Sequence, residues 1–503
     1  MQQTVTPGAD SGPNHRPSFY WYDLETSGTD PKWDRVIQFA GIRTDLELNE
    51  VGDHASEYVR LPPDVLPQPM ACLVTGLSPQ KVNAEGLDEI EAFARIERRF
   101  TAPGTCVAGF NSLRFDDEFI RYGFYRQLID PYAREWQGGN SRWDIIDLVR
   151  AAAALRPEGI EWPQEMGLPV FRLEAMTIAN GIEHGQAHDA LSDVRATIGL
   201  ARLIRHKQRR LFDWYLGLRD KGRLATLLRP AQPEICLHVS GRLPRERHCI
   251  APVMPLAAHP QNRNSIIVVD LLSNLEPLLT HDADALAELI FTPQTQAPLR
   301  IKEVRINRVP FVAPISVLRD QDIARLSWDM DDIQARFARL ARAEGLRAKL
   351  LAVFRSRQPP AEQDPDAALY QGFIGDADRA RCNAVVASLR HGEPVTDPGF
   401  EDARLSELLL RLRARHDPAV LSAAEQRRWL RFVHGKLLAE GGSDHAPPWL
   451  TLAGFQRALH QAGAASQSES DQQLLHELAQ YGESVHHWLQ QQQSIVQGAD
   501  DGG

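Results

Sequence analysis

The segment FYWYDLETSGTD, residues 19–30, constrains the fold more than any other part of the chain. Four consecutive large side chains, Phe19 to Tyr22, cannot alternate between core and solvent, so they read as a strand covered on both faces and central in its sheet. That strand runs directly into Asp23 and Glu25. Residues i and i+2 of a strand share a face, so the two carboxylates project together, where they repel each other and are costly to bury. Something has to neutralise them. One answer is a strand that ends in solvent or pairs with a nearby arginine such as Arg35 or Arg43. The other is a divalent cation, since Mg2+ prefers oxygen donors and takes only a few protein carboxylates.

A cation site needs further acids. The pattern D-x-E occurs at Asp23, Asp45 and Asp116, so by itself it selects nothing. Two later segments supply candidates: FNSLRFDDEF, where Asp116 opens a helix after a strand, and HDALSDV, where Asp193 lies inside a helix between Ala190 and Thr197. Four carboxylates carry a charge of about −4, which two Mg2+ ions balance and one does not. His188 precedes Asp193 by five residues, and His184 precedes Asp189 by the same interval. The pair His188 and Asp193 is preferred, because Asp189 falls where a capping or first-turn acid is expected.

The surrounding pattern predicts a mixed α/β domain. FYWYD, RVIQFAGIRTD and ASEYVRL read as an antiparallel meander. Helices follow in SPQKVNAEG, with Ser78 as N-cap and Pro79 at the first position, and in EIEAFARIERRF. TCVAGF is a short strand ending at Gly109, FDDEFIRYGFYRQL resumes a helical period, and AHDALSDVRATIGLARLIRHKQRR closes the domain as a helix with a basic end. After about residue 208, the runs EICLHVS, NSIIVVDLL, RIKEVRIN and VPFVAPISVL predict a small, mostly β domain. Beyond SRQPPAEQDPD the chain turns helical, with a capping box from Ser422 to Glu425, until a polar end.

Composition narrows the function classes. The net charge of −10 argues against a polyphosphate partner, but residues 19–200 hold 17 Lys/Arg against 29 Asp/Glu, whereas residues 201–250 hold 12 against 4. An acidic domain therefore adjoins a basic stretch. No apolar run is long enough for a membrane span, and the first eighteen residues lack the pattern of a signal peptide. Five cysteines without a C-x-x-C fit free thiols in a reducing cytoplasm.

The ordered set Asp23-x-Glu25, Asn111-x-x-x-Phe115-Asp116 and His188-Asp189-Ala190-x-x-Asp193 resembles the three exonuclease motifs of the DEDD superfamily, in its His-containing branch. WYDLETSGTDP, GFNSLRFDDEF, NSRWDIIDL, LRPEGIEWP, FRLEAMTIANGIEH, HPQNRN, LYQGFIGDADR and AAEQRRWL further resemble the bacterial exodeoxyribonuclease I family, over residues 19 to 430 or so. The extreme N-terminus and the last sixty or so residues match poorly. The resemblance implies an α/β fold: an RNase H-like exonuclease domain at 19–200, an SH3-like β-barrel domain at 209–357 and an all-helical C-terminal domain at 360–492. A disordered tail at 1–18 and a flexible tail at 493–503 flank them.

It also implies processive, Mg2+-dependent 3′→5′ hydrolysis of single-stranded DNA to 5′-mononucleotides, in repair and recombination. Asp23, Glu25, Asp116 and Asp193 would hold two Mg2+ ions, with Mn2+ as a substitute, and His188 would be the general base. Glu25 would also sense the 3′-hydroxyl. Arg121, Tyr132, Trp136, Arg150 and Arg172 fall at DNA-contacting positions of the family, and Gln186 stands where the family can carry Asn. The implied partners are single-stranded DNA and the acidic C-terminal tail of single-stranded DNA-binding protein, for which the basic residues from Arg202 to Arg247 are suited. The implied state is a cytoplasmic, nucleoid-associated monomer. The rival readings are a 3′→5′ exoribonuclease of the same superfamily and a catalytically silent single-stranded DNA-binding protein, whose signature would be a lost metal ligand.

Overall fold

The computed structural model describes residues 16–185, 189–291, 299–355, 362, 364–439, 447–465 and 468–497. Residues 1–15 of the expected tail lie outside them, and the first strand begins at Ser18, inside the span expected as tail. Five strands build the first sheet: β1 (Ser18–Thr26), β2 (Val36–Thr44), β3 (Glu50–Tyr58), β4 (Thr105–Gly109) and β5 (Ser141–Asp144). Their order is β3-β2-β1-β4-β5, so β1 is central. The meander β1-β2-β3 is antiparallel, as its sequence predicts, while β4 runs parallel to both β1 and β5.

Both faces of β1 are covered, which is what the unbroken apolar run requires. Phe19 and Trp21 lie 5.9 and 6.2 Å from the Trp143 ring, in one core with Val194 and Ile198 of the helix Ala190–Lys207. Tyr20 and Tyr22 turn the other way, 5.7 and 5.0 Å from Phe100 of the helix Glu89–Thr101. Each such side chain contributes roughly 1.5–3 kcal/mol by its burial, so the strand is anchored up to the residue before Asp23. Ser78 caps the helix Pro79–Glu85 by accepting from the Lys81 amide.

A two-residue ribbon, β6 (Gln164–Glu165) with β7 (Leu168–Pro169), precedes the second sheet. That sheet comprises β8 (Cys236–Val239), β9 (Ile250–Ala258), β10 (Ser265–Asp270), β11 (Ile301–Arg305) and β12 (Phe311–Pro314), in the antiparallel order β11-β10-β9-β8-β12. Strand β9 escaped the sequence reading because it contains Pro252 and Pro255, which remove ladder donors. Pro255 is accommodated opposite Val268, where the β9–β10 register shifts. The mostly β reading of this region also missed the helices Met330–Ala341 and Leu346–Arg355, which follow β12.

The C-terminal part is helical: Asp376–Arg390, Ala403–His416, Ala423–Leu437, Leu452–Ala465 and Glu469–Gln497. The Ser422–Glu425 capping box is formed. The last helix runs to Gln497, so residues 493–497 are helical instead of tail, and Val496 packs against the apolar core of these helices. This part is fastened to the first sheet's domain by Trp33 against Trp449 at 4.9 Å, and by a buried set of charges in which Arg415 and Lys436 both donate to Asp64. Among the described residues no helix is long and apolar enough to cross a membrane.

Candidate active site

The pleat of β1 carries Asp23 and Glu25 on the face of Phe19 and Trp21, the face packed by the helix Ala190–Lys207. That helix brings Asp193, in its first turn, to the same point. One carboxylate oxygen from each of Asp23, Glu25 and Asp193 lies within 4.8 Å of the others. The arginines weighed as partners of the strand acids are engaged elsewhere: Arg43 donates to Asp53 at 2.9 Å, and Arg35 faces Glu89 at 3.6 Å.

Asp116 arrives from the parallel neighbour. The pairing of β4 with β1 ends at Ala108 and Trp21, just short of Asp23, and the chain leaves β4 at Gly109, where a Cβ would sit 2.9 Å from the Tyr22 carbonyl, so only glycine fits. The following loop is tied to Asp144 at the end of β5, which accepts from the amides of Asn111 at 2.8 Å, Leu113 at 3.1 Å and Ile146 at 3.0 Å. Asp116 then opens the helix Asp116–Arg126, and its carboxylate faces the Leu24 amide, between Asp23 and Glu25. Asp144 was missed by sequence reasoning: its task is to hold a loop, and no local pattern marks it.

The electrostatics describe an uncompensated negative cluster. Burial, and then the charges of Asp116, Glu25, Asp193 and Asp189, push the Asp23 carboxyl well above the usual range. Glu25 is pushed up to about 8 by burial, with Asp193, Asp116 and Asp189 adding to it. Asp116 is pushed up to about 8, mainly by burial, against the lowering effect of its backbone hydrogen bonds. The next residue behaves oppositely. Burial would also raise Asp117, but Arg134, Arg142 and Arg121 outweigh it and hold that carboxyl well below the usual range. Of two adjacent buried acids, one is matched by arginines inside the fold, and the other belongs to the unmatched cluster. Oxygen donors alone, without thiol or imidazole among the three that converge, suit a hard cation such as Mg2+ or Mn2+.

His188 and Gln186 lie outside the described residues. Asp189 is the N-cap of the helix Ala190–Lys207 and accepts from Ser192, the capping place that its position predicts. His184, which entered the sequence reading only as the partner of Asp189 in an alternative register, lies against Asp193 instead. A nine-residue reach across a turn has no periodic signature.

The described members of the expected DNA-contacting set differ in exposure. Trp136 is 63% exposed, and Arg172 is exposed and paired with Glu165. Arg150 is largely covered, donating to Asp147 at 2.7 Å. The Arg121 side chain is 5% exposed, with the guanidinium divided between Glu135 at 2.8 Å and Glu118 at 3.1 Å. Tyr132 lies partly buried beneath it, 5.4 Å away, and meets the 83% exposed Phe373 at 6.0 Å. Glu118 joins three parts of the chain, accepting from Arg121, from Arg308 at 2.5 Å and from the Tyr370 hydroxyl at 2.5 Å. Phe373, Tyr370 and Glu118 carry no signal of this role in local sequence, because their partners lie up to 252 residues away.

The basic stretch is partly a seam. Arg202 donates to the Leu48 carbonyl, Arg205 pairs with Glu47, Arg219 donates to Ser141 at 2.9 Å, and Arg247 pairs with Asp270 at 3.0 Å. A pocket of about 310 Å³ remains, ringed by Arg202, Arg205, His206 and Arg209.

Three family models match the chain: Exonuclease over residues 20–201, Exonuclease I SH3-like domain over 219–356 and Exonuclease I C-terminal domain over 363–485. The exodeoxyribonuclease I of Escherichia coli strain K12 is 45% identical over 419 residues, covering 82% of this chain and 88% of the relative. Among solved structures, the zinc ion-bound form of the E. coli ExoI–ssDNA complex superposes with a TM-score of 0.88 at 40% identity, covering 94% of this chain and 100% of that one. An ExoI/SSB-Ct complex superposes with a TM-score of 0.86, also at 40% identity and with the same coverage.

Proposed function

The chain belongs to the exodeoxyribonuclease I family and is a 3′→5′ exodeoxyribonuclease, and from that premise we propose that it hydrolyses single-stranded DNA processively to 5′-mononucleotides with two Mg2+ ions, in DNA repair and recombination. The observation that carries the metal reading is the convergence of Asp23, Glu25 and Asp193 within 4.8 Å, with Asp116 close enough to add to burial in pushing the Asp23 and Glu25 carboxyls up. Four acids that repel one another are tolerable in a fold when cations balance them. Bound there, such ions supply Lewis-acid stabilisation of the charge that develops during in-line displacement at phosphorus.

The chain's own residues divide the remaining work. Asp23, at the rigid end of β1, and Glu25, Asp193 and Asp116 around it provide the oxygen shell. Glu25, on the same face one pleat further, is also the group assigned to the terminal 3′-hydroxyl. His188 takes the proton from the attacking water, a task suited to a side chain whose ordinary pKa is about 6.5. All four acids and the histidine are present, which speaks against a silent DNA-binding protein.

The exposed rings of Trp136 and Phe373 support a path for unpaired bases, since aromatic faces stack on any base. Arg172 is an exposed cation for the phosphates, whereas Arg121 serves this reading through Tyr132 and Glu118, which it holds in position. Phe373→Ala and Trp136→Ala are each expected to weaken single-stranded DNA binding by about 1–3 kcal/mol, read by fluorescence anisotropy in chelator. An unchanged affinity in both variants would remove these rings from the path. The acidic tail of single-stranded DNA-binding protein is the protein partner we assign, and the ring of Arg202, Arg205, His206 and Arg209 offers it cations.

The test of the activity is release of mononucleotides from uniformly labelled single-stranded DNA, RNA and duplex DNA of one sequence, with and without Mg2+. Fast release from single-stranded DNA alone, abolished by chelator, is expected. Faster degradation of RNA would transfer the reading to an exoribonuclease, and release that persists in chelator would overturn the metal site.

A further inference from the structure

We propose that His184 is a positioning residue for Asp193, holding that carboxylate in the orientation a cation requires; the inference rests on the acidic cluster being a metal site. His184 lies between the helices Leu173–Ala179 and Ala190–Lys207, and its side chain is 7% exposed. Its Nε2 is 2.5 Å from Asp193 Oδ1, and its Nδ1 is 3.0 Å from Thr177 Oγ1. Thr177 is fully buried and donates its hydroxyl proton to the Glu174 carbonyl at 2.8 Å. A hydroxyl has one proton to give, so the Thr177 oxygen accepts from His184 Nδ1–H, and the hydrogen bond to the Asp193 carboxylate takes a second ring proton, on Nε2. The ring plane is thereby fixed from the helix behind it, and Nε2 is turned onto Asp193.

The consequence is mechanical. An aspartate among like charges relieves repulsion by rotating about its Cβ–Cγ bond, away from Asp23 and Glu25. With one oxygen held at His184, that rotation is opposed, and the carboxylate stays aimed at the cluster. Outer partners of metal ligands act in this way, and their loss costs about 10–100-fold in metal affinity or activity. Among the described residues His184 is not one of the converging donors, which are Asp23, Glu25 and Asp193 alone. Its role is therefore to orient a ligand, through the sequence Glu174 carbonyl, Thr177, His184, Asp193.

The experiment is calorimetric titration of the full-length chain with Mg2+ in the absence of DNA, for the native protein and for His184→Ala, His184→Gln, Thr177→Val and Asp193→Asn. His184→Ala is expected to weaken Mg2+ binding by about tenfold or more. His184→Gln, which keeps a donor at a similar reach, should recover most of the loss, and Thr177→Val should fall between. Nuclease kcat for His184→Ala should return toward the native value as Mg2+ is raised, because the defect is in ligand placement. Native Mg2+ affinity in His184→Ala, or equal losses in His184→Ala and His184→Gln, would overturn the proposal. Should His184→Ala fail to fold in chelator, Thr177→Val decides, and a native affinity there overturns it. If the native chain binds no Mg2+, or Asp193→Asn binds it normally, the metal reading itself falls and takes this inference with it. If both behave as expected while His184→Ala matches the native chain, only the positioning role fails.

Discussion

Asp23→Asn is expected to lower mononucleotide release by about 10³-fold or more while making the metal-free protein harder to unfold. The two effects have one cause. Asp23 lies among Glu25, Asp116 and Asp193, and burial first, then repulsion from these acids, pushes its carboxyl well above the usual range. Removing its charge relieves that repulsion in the absence of cations, so the thermal midpoint in chelator should rise. The same charge is what a cation needs, and loss of several kcal/mol of transition-state stabilisation corresponds to the stated rate, at tenfold for each 1.36 kcal/mol. Mg2+ should raise the midpoint of the native chain and leave that of the variant nearly unchanged. Activity of the variant within tenfold of native, or a lower midpoint in chelator, would contradict the assignment of Asp23 to the centre of the site.

The second large effect lies far from the chemistry. Asp64→Ala should destabilise the attachment of the helical C-terminal part by about 3–5 kcal/mol, the range for breaking a buried ion pair from one side. Asp64 is fully buried and accepts from Arg415 Nε at 2.9 Å, Arg415 Nη2 at 2.8 Å and Lys436 Nζ at 2.9 Å. Arg415 also donates to Asp366 at 2.7 Å, and Arg411 donates to the same carboxylate at 2.8 Å. Without Asp64, Lys436 and one side of Arg415 are left buried without a counter-charge. Burial alone would raise both carboxyls, but Arg415 with Lys436 at Asp64, and Arg415 with Arg411 at Asp366, hold them well below the usual range.

Groups whose folded pKa is depressed contribute stability that is present above their unfolded value, about 3.9, and that is lost as pH falls below it toward the folded value. The native chain should therefore lose stability steeply below about pH 4, and Asp64→Asn should flatten that slope. Moderate salt should change little, because the pairs are shielded from water. Urea melts followed by intrinsic tryptophan fluorescence would measure the loss; a change below about 1 kcal/mol would show that the network contributes little. Since Tyr370 and Phe373 ride on the same part of the chain, the variant should also degrade long strands less processively than short ones.

Much of the site was legible in the chain itself. The period of two along a strand puts Asp23 and Glu25 on one face, and an apolar run with no alternation marks β1 as covered on both sides. The helix caps at Ser78 and Ser422 are local and were readable for that reason. Strand β9 was not, because Pro252 and Pro255 contradict strand propensity and only a shift in pairing register admits Pro255. Nor was the matching of Asp117 against the non-matching of Asp116. The two neighbours differ only in which arginines the fold brings to them.

The sequence by itself therefore determined the central strand, the acids it delivers and the order of the motifs, since each depends on spacing within one element. The tertiary structure alone decided that Asp144 holds the loop before Asp116, that Arg121 is sealed among carboxylates, that Glu118 joins three parts of the chain, and that His184 rests on Asp193. These are contacts between elements whose meeting is set by packing, and the free energy that selects them depends on burial and distance across the fold, quantities that no local period along the chain encodes.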